Sequence, residues 1–211
     1  MTDTACREDN SRTIPLCDVA VKKIVLASAS PRRKGLLEQI GLRFQVEPTE
    51  YDEETTSASD AHEMARELSL GKARAAARKR RKALIIAADT LVVLGGRVFG
   101  KPHTNDEAKQ TLRALNGRTH SVITGFTILD NETGKVLSRS VETKVQMRKL
   151  TLKEIDGYVR TREPLDKAGG YAIQGRGVVL VEKIEGDYSN VVGLPLTALA
   201  ESLKEFGINV P

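Results

Sequence analysis

Three stretches of this chain gather residue types that handle phosphate, water and a planar ligand. The first is Val25-Leu26-Ala27-Ser28-Ala29-Ser30-Pro31-Arg32-Arg33, an apolar run ending in small hydroxyl residues, a proline and two arginines. Proline suits the first turn of a helix, where its missing N–H has no partner to lose, and Ser30 stands where an N-cap would. Free backbone N–H groups, the helix dipole, Ser28, Arg32 and Arg33 would together hold an anion, and arginine can grip phosphate in a two-pronged way. The plain alternative is a capped helix whose arginines face water. The second stretch is Leu84-Ile85-Ile86-Ala87-Ala88 followed by Asp89-Thr90. A carboxylate at the end of a buried strand is placed to bind a divalent ion or to take a proton from water, and strand ends are where α/β proteins bind ligands. A turn aspartate holding its own backbone is the bland counterpart. The third stretch, Glu163 to Gly175, packs Asp166, Lys167, three glycines and Gln174 into one loop. Its glycines allow close backbone approach, and the Gln174 amide can both donate to and accept from the edge of a base.

Other patterns carry less. Gly95-Gly96-Arg97-Val98-Phe99-Gly100-Lys101-Pro102 follows a P-loop for seven positions, but Pro102 replaces the hydroxyl that would reach magnesium. A P-loop is rejected, while Lys101 stays a candidate phosphate-binding lysine. Glu50, Asp52, Glu53 and Glu54 offer oxygens to a metal, although acidic runs usually solvate a loop. His62, His103 and His120 lack metal-ligand spacing and read as surface or packing residues. Gly186 to Asn190 reads as a second binding loop or a polar turn.

The elements that must position these residues follow from pattern. A strand at Ile24–Ala27 leads to a helix from Pro31 closed by Gly41, and Leu42–Val46 alternates as a second strand. Ala61–Lys82 is rich in helix formers, with Gly71 interrupting but not ending it. Its basic run, Arg78 to Lys82, reads as a solvated helix end rather than a nucleic-acid patch. Leu84–Ala88 is a strand buried on both faces, and Leu91–Leu94 leads to a Gly95-Gly96 hairpin. A helix from Thr104 or Asn105 to Leu115, strands at Ser121–Leu129 and Val136–Val145, a helix from Thr151 to Thr161, a strand at Gly177–Glu182 and a helix from Pro195 to Phe206 complete the series. Helices and strands mixed in this way predict an α/β protein with a partly antiparallel sheet.

At 211 residues the chain has length for one domain with a substantial core. Residues 1–20 read as a polar, disordered extension, and 21–211 as the folded unit. A net charge of +5 favours an anionic partner, while 4% aromatics and no tryptophan weigh against single-strand nucleic-acid binding. Cys6 and Cys17 give no disulfide framework. The sequence carries neither a membrane-spanning run nor a targeting pattern, so a cytoplasmic location is expected.

The chain also resembles the Maf family of nucleoside triphosphate pyrophosphatases. The likeness rests on Ser28 to Arg33, Ala88-Asp89-Thr90, Gly100-Lys101-Pro102, Gly117 to Val122, Asp166-Lys167-Ala168-Gly169 and Gly186 to Pro195, which occur in family order. It implies a Ham1-like (inosine triphosphate pyrophosphatase-like) two-lobed fold around a twisted mixed sheet with a central cleft, often dimeric. It also implies cleavage of a triphosphate to monophosphate and pyrophosphate with magnesium or manganese. On this resemblance Asp89 is the proton acceptor, and Arg32, Thr90 and Gln174 bear on substrate choice. Ser28, Arg33, Lys72, Lys101 and Glu53 are further site positions, Glu53 with Asp89 toward the metal. Asp-Thr at 89–90 with Ile-Gln-Gly at 173–175 looks like the branch acting on the pyrimidine nucleotides dTTP and UTP. A purine-directed pyrophosphatase of the same fold and a nucleic-acid-binding or septum-associated regulator are the competing readings.

Overall fold

The computed structural model describes residues 22–49, 51, 58, 60–80 and 82–210. The N-terminal extension and Glu50, Asp52, Glu53 and Glu54 of the acidic connection lie outside the described residues. Seven strands form one mixed sheet: β1 (Lys23–Leu26), β2 (Gln45–Val46), β3 (Ala83–Leu94), β4 (Arg97–Phe99), β5 (Thr119–Asp130), β6 (Val136–Met147) and β7 (Val181–Glu185). Their order is β2-β1-β3-β5-β6-β7, with β4 on β3. The first two pairings, β2 with β1 and β1 with β3, are parallel, and the rest are antiparallel.

Strand β3 organises the molecule. Along one edge it pairs with β5 from Leu84 to Val93. On its other edge β1 covers residues 83–86 and β4 covers 92–94. Residues 87–91 therefore have no neighbouring strand on that side among the described residues, and this gap is the floor of a cleft. The sequence suggested a strand ending at Ala88. Instead the strand runs on through Asp89 and Thr90, because its second half serves a second apolar cluster.

Alternation along β3 sets the faces. Leu84, Ile86 and Ala88 join Leu36 and Leu37 of α1 (Pro31–Gln39) and Leu199 and Leu203 of α6 (Leu196–Lys204). Ile85 and Ala87 meet Ala73 and Ala76 of α2 (Ala61–Ala77) on the opposite face, and Leu91 meets Ala65 and Leu68 further along. Beyond the gap, Val92 packs with Leu112 of α3 (Asn105–Leu115), Ile155 of α4 (Leu152–Arg160) and Tyr171. These clusters make the two lobes.

Four local expectations are corrected. Helix α2 stops at Ala77 rather than Lys82, where the Asn131 side chain donates to the Ala77 and Arg80 carbonyls and so caps the orphan acceptors. Arg80 pairs with Glu47, which agrees with the solvated-end reading. The second strand shrinks to two residues. The stretch Gly175–Leu180 forms a 3-10 turn, so the last strand begins at Val181. Finally, Tyr188–Val192 is a short helix, α5, capped by Asp187, rather than a loop. Among the described residues no helix is long and apolar enough to cross a membrane.

His120 is a packing residue, as expected. It is buried, and its Nε2 shares a 2.6 Å hydrogen bond with the Tyr171 hydroxyl. Burial pushes its pKa down to about 4, against a smaller opposing effect of the Arg118 backbone. The folded chain therefore keeps His120 neutral while the unfolded chain protonates from about pH 6.5 downward, so stability falls as pH falls. Between pH 6.5 and 4 the loss from this group should approach about 3 kcal/mol. Urea midpoints at pH 7, 5.5 and 4.5 should drop steeply in the wild type. They should drop much less in His120→Asn, and an equal drop in both proteins would refute this assignment.

Candidate active site

The cleft has a volume of about 400 Å³ and is lined from both lobes. That is within the range of small-molecule sites. On one wall, Ser30 caps α1 by accepting from the Arg33 N–H at 3.4 Å, with Pro31 at the first helical position. Ser28 lies just before it, its hydroxyl accepting from the Ser30 N–H at 3.2 Å. Pro31 has no N–H, and those of Arg33 and Lys34 bond to Ser30, so the α1 N-terminus brings its dipole and the Arg32 N–H to the cleft wall.

The two arginines divide. Arg32 lines the mouth and reaches Asp166 of the opposite lobe at 3.8 Å. Burial works against ionisation of Asp166, yet the Lys167 hydrogen bond and the charges of Lys167 and Arg32 hold it below the usual carboxylate range. Arg33 instead donates to the Gly193 carbonyl at 2.8 Å, to Ser28 at 3.3 Å and to Thr90 at 3.0 Å. It ties α1 to the cleft floor and to the turn after α5, and it orients Thr90. Thr90 also shares a 3.0 Å hydrogen bond with Thr124.

Alternation puts Asp89 on the α2 face of β3, where Lys72 donates to its Oδ1. Both side chains line the cleft and are largely buried. The geometry that brings them together was not legible in the motifs. Gly125 of β5 stands directly opposite Asp89 in register. A Cβ at Gly125 would run into the backbone carbonyl of Ala65, so α2 lies directly on the sheet there. Lys72 follows Ala65 by seven residues, two turns along the same helix face, and so comes down onto Asp89. Gly71 has a related reason: the Tyr51 ring rests where its Cβ would be. Tyr51 lines the cleft with Thr49, whose buried hydroxyl has no hydrogen-bond partner among the described residues.

The opposite wall holds Lys101, Asp166, Lys167, Tyr171 and Gln174. The Gly169 N–H donates to the Gly100 carbonyl at 3.1 Å, which fastens the Lys101 turn to the Asp166–Gly170 segment. Gly169 has φ +69°, and a Cβ there would approach Val92 to 2.8 Å, so both conformation and space call for glycine. Gln174 is exposed at the cleft, and its side chain makes no hydrogen bond to the protein among the described residues. Ser28, Arg32, Arg33, Lys72, Asp89, Thr90, Lys101 and Gln174 thus all line one cleft. Glu53 lies outside the described residues.

Other lining residues belong to the quoted motifs without having been given a site role of their own. Lys167 is placed by donating to the Glu163 carbonyl at 2.8 Å. Val191, Val192 and Gly193 form a wall because Asn190, fully buried, donates to Val122 and Thr143 at 3.0 Å each. The sequence reads Gly186 to Asn190 as a second binding loop or a polar turn; in the fold Asp187 caps α5, accepting from the Ser189 N–H at 2.7 Å.

A cleft floored by a carboxylate–ammonium pair and rimmed by a helix N-terminus, Arg32, Lys101 and Lys167 defines an α/β protein suited to a phosphorylated small molecule. The comparisons narrow the class. The chain belongs to the Maf family, whose model, described as Maf-like protein, matches residues 23–206. It is 47% identical over 191 residues to a dTTP/UTP pyrophosphatase of Methanococcoides burtonii, covering 90% of this chain and 98% of that one. It is 48% identical over 190 residues to a dTTP/UTP pyrophosphatase of Moorella thermoacetica, with 90% and 98% coverage. Among solved structures, the Staphylococcus aureus Ham1 protein superposes at a TM-score of 0.44 with 16% identity, over 60% of this chain and 72% of that one. That likeness is distant and carries no argument of its own.

Proposed function

We propose that this protein hydrolyses dTTP and UTP to the monophosphate and pyrophosphate. The observation that carries the reading is the convergence on one cleft of the Asp89–Lys72 pair, the α1 N-terminus with Arg32, and the exposed Gln174 amide. The names printed for the Methanococcoides and Moorella relatives support the substrate class.

In this account the triphosphate lies along the α1 N-terminus, with Arg32, Lys101 and Lys167 neutralising its charge and that growing on the pyrophosphate leaving group. Arg32 exchanges its distant Asp166 partner for phosphate oxygens. Arg33 stays on Thr90 and Gly193 and keeps the floor rigid. Lys72 fixes Asp89 through Oδ1, and Oδ2, which accepts no hydrogen bond among the described residues, is left to orient water and take its proton. The Gln174 amide meets the edge of the base.

Magnesium or manganese fits this donor set. Among the described residues no group of three or more His, Cys, Asp or Glu is arranged as a metal cage. Asp89 and the Thr49 hydroxyl, which has no partner among the described residues, are hard oxygen donors, as suits an ion held by one or two carboxylates and substrate oxygens. Asp89, with Glu53 from the acidic connection, would hold it. When bound, such an ion neutralises phosphate charge and polarises the bond to be broken.

Pyrophosphate release across normal and modified triphosphates tests the proposal. Turnover should favour dTTP and UTP, and preference for purine triphosphates would overturn the substrate class. Gln174→Ala should blur base preference by about tenfold while changing kcat on UTP less, because it removes hydrogen bonds to the base and not to the reacting phosphates. An unchanged substrate ratio in that variant would refute the role of Gln174.

A further inference from the structure

Gln174 is presented by a loop whose shape is held from behind the cleft. Glu163, at the loop's start, folds its carboxylate back onto the loop's end. Its Oε2 accepts the Arg176 N–H at 3.1 Å, and its Oε1 accepts the Gly177 N–H at 3.1 Å and the Tyr158 hydroxyl at 3.0 Å. Its own N–H donates to Thr161 Oγ1 at 3.2 Å, so the base of the arm is fixed as well. Three donors converge on one side chain, and only a group with acceptors on both oxygens satisfies them all.

The backbone around this clamp leaves no slack. Gly175 has φ +66°, and a Cβ there would lie 3.2–3.4 Å from the Glu163 carboxylate. Gly177 packs against the Ala172 backbone, and its Cβ position is 2.8 Å from the Tyr158 hydroxyl. Tyr158 is itself buried, and burial followed by the Glu163 charge raises its pKa, so it stays a donor. None of Glu163, Tyr158, Arg176 or Gly177 lines the cleft, whereas Tyr171 to Gln174, enclosed by the clamp, all do.

We propose that Glu163 is a positioning residue for base selection: its carboxylate closes the 163–177 loop and so sets where the Gln174 amide meets the base. The proposal rests on the reading of Gln174 given above. Glu163 touches neither substrate nor reacting atoms, and its effect passes through two backbone amides, at residues 176 and 177. A carboxylate suits this task because an amide in its place would aim N–H groups at one of the backbone donors, leaving that N–H without an acceptor.

A double-mutant cycle on substrate preference tests it. The ratio of kcat/KM for UTP over CTP is measured in the wild type, Glu163→Gln, Gln174→Ala and the double variant, with thermal midpoints alongside. Glu163→Gln should shrink the ratio by about tenfold, and adding it to Gln174→Ala should change the ratio no further, since residues in one chain of action are non-additive. If Glu163→Gln lowers the thermal midpoint and slows all substrates equally at an unchanged ratio, Glu163 is merely structural and the proposal fails. If Gln174→Ala shifts the ratio but Glu163→Gln does not, the proposal fails alone. If Gln174→Ala itself leaves the ratio unchanged, the reading of Gln174 fails and the proposal falls with it. Should Glu163→Gln not fold, Tyr158→Phe, which removes one donor and spares both backbone bonds, carries the same cycle, with a smaller shift in the same direction expected and an unchanged ratio contradicting it.

Discussion

Asp89→Asn is expected to lower kcat on dTTP by about a thousandfold while changing nucleotide affinity only a few-fold. The asparagine keeps the shape of the side chain and its place on β3. It loses the charge that Lys72 meets at Oδ1 and any capacity to take a proton from water. The cationic side chains proposed to hold the phosphates are untouched, because Arg32, Lys101 and Lys167 reach the cleft from other elements. Loss of binding with little change in kcat would move Asp89 from chemistry to substrate anchoring. The variant also removes one of the charges that the largely buried Lys72 meets, so some loss of stability is expected too. Kinetics should therefore be read at a temperature where near-ultraviolet dichroism shows both proteins folded.

Gly125→Ala is expected to cost about 3 kcal/mol of stability, a large effect for one added methyl group. The strand cannot move away, because β5 is held by β3 on one side and β6 on the other. The new Cβ meets the α2 backbone at Ala65 rather than a flexible side chain. Helix α2 must lift, and Lys72, two turns further on, lifts from Asp89 with it. Urea unfolding should show the lower midpoint, and the folded fraction should also turn over more slowly. A neutral result in both would mean that α2 does not depend on close contact at this point.

Much of the site was legible because its residues are linked by local rules. Ser30-Pro31 announces a helix start in any fold, and the cap is where the sequence put it. Lys101 and Gln174 likewise lie in turns that their glycines announce. Strand β3 was misjudged for a physical reason. An Asp-Thr pair after five apolar residues looks like a strand end, yet β3 continues, since Val92 enters the core of the second lobe. The helix at Tyr188–Val192 is too short for hydrophobic periodicity to show, and its last strand neighbour was misplaced because Gly175–Leu180 is apolar without being paired. The roles of Gly125 and Gly71 are unreadable locally, since each is set by a residue distant in the chain, Ala65 or Tyr51. The division of labour between Arg32 and Arg33 belongs to the same class: adjacent and identical in type, they differ only in what the fold brings within reach.

On the function proposed here, this cleft breaks the bond between the α- and β-phosphates with Asp89 at the reacting centre. Phosphorus NMR of a dTTP reaction with magnesium, run beside Asp89→Asn, tests it most directly. The wild type should give dTMP and pyrophosphate in a one-to-one ratio, and the variant should leave dTTP unchanged. Formation of dTDP and inorganic phosphate, or equal pyrophosphate release by both proteins, would contradict it.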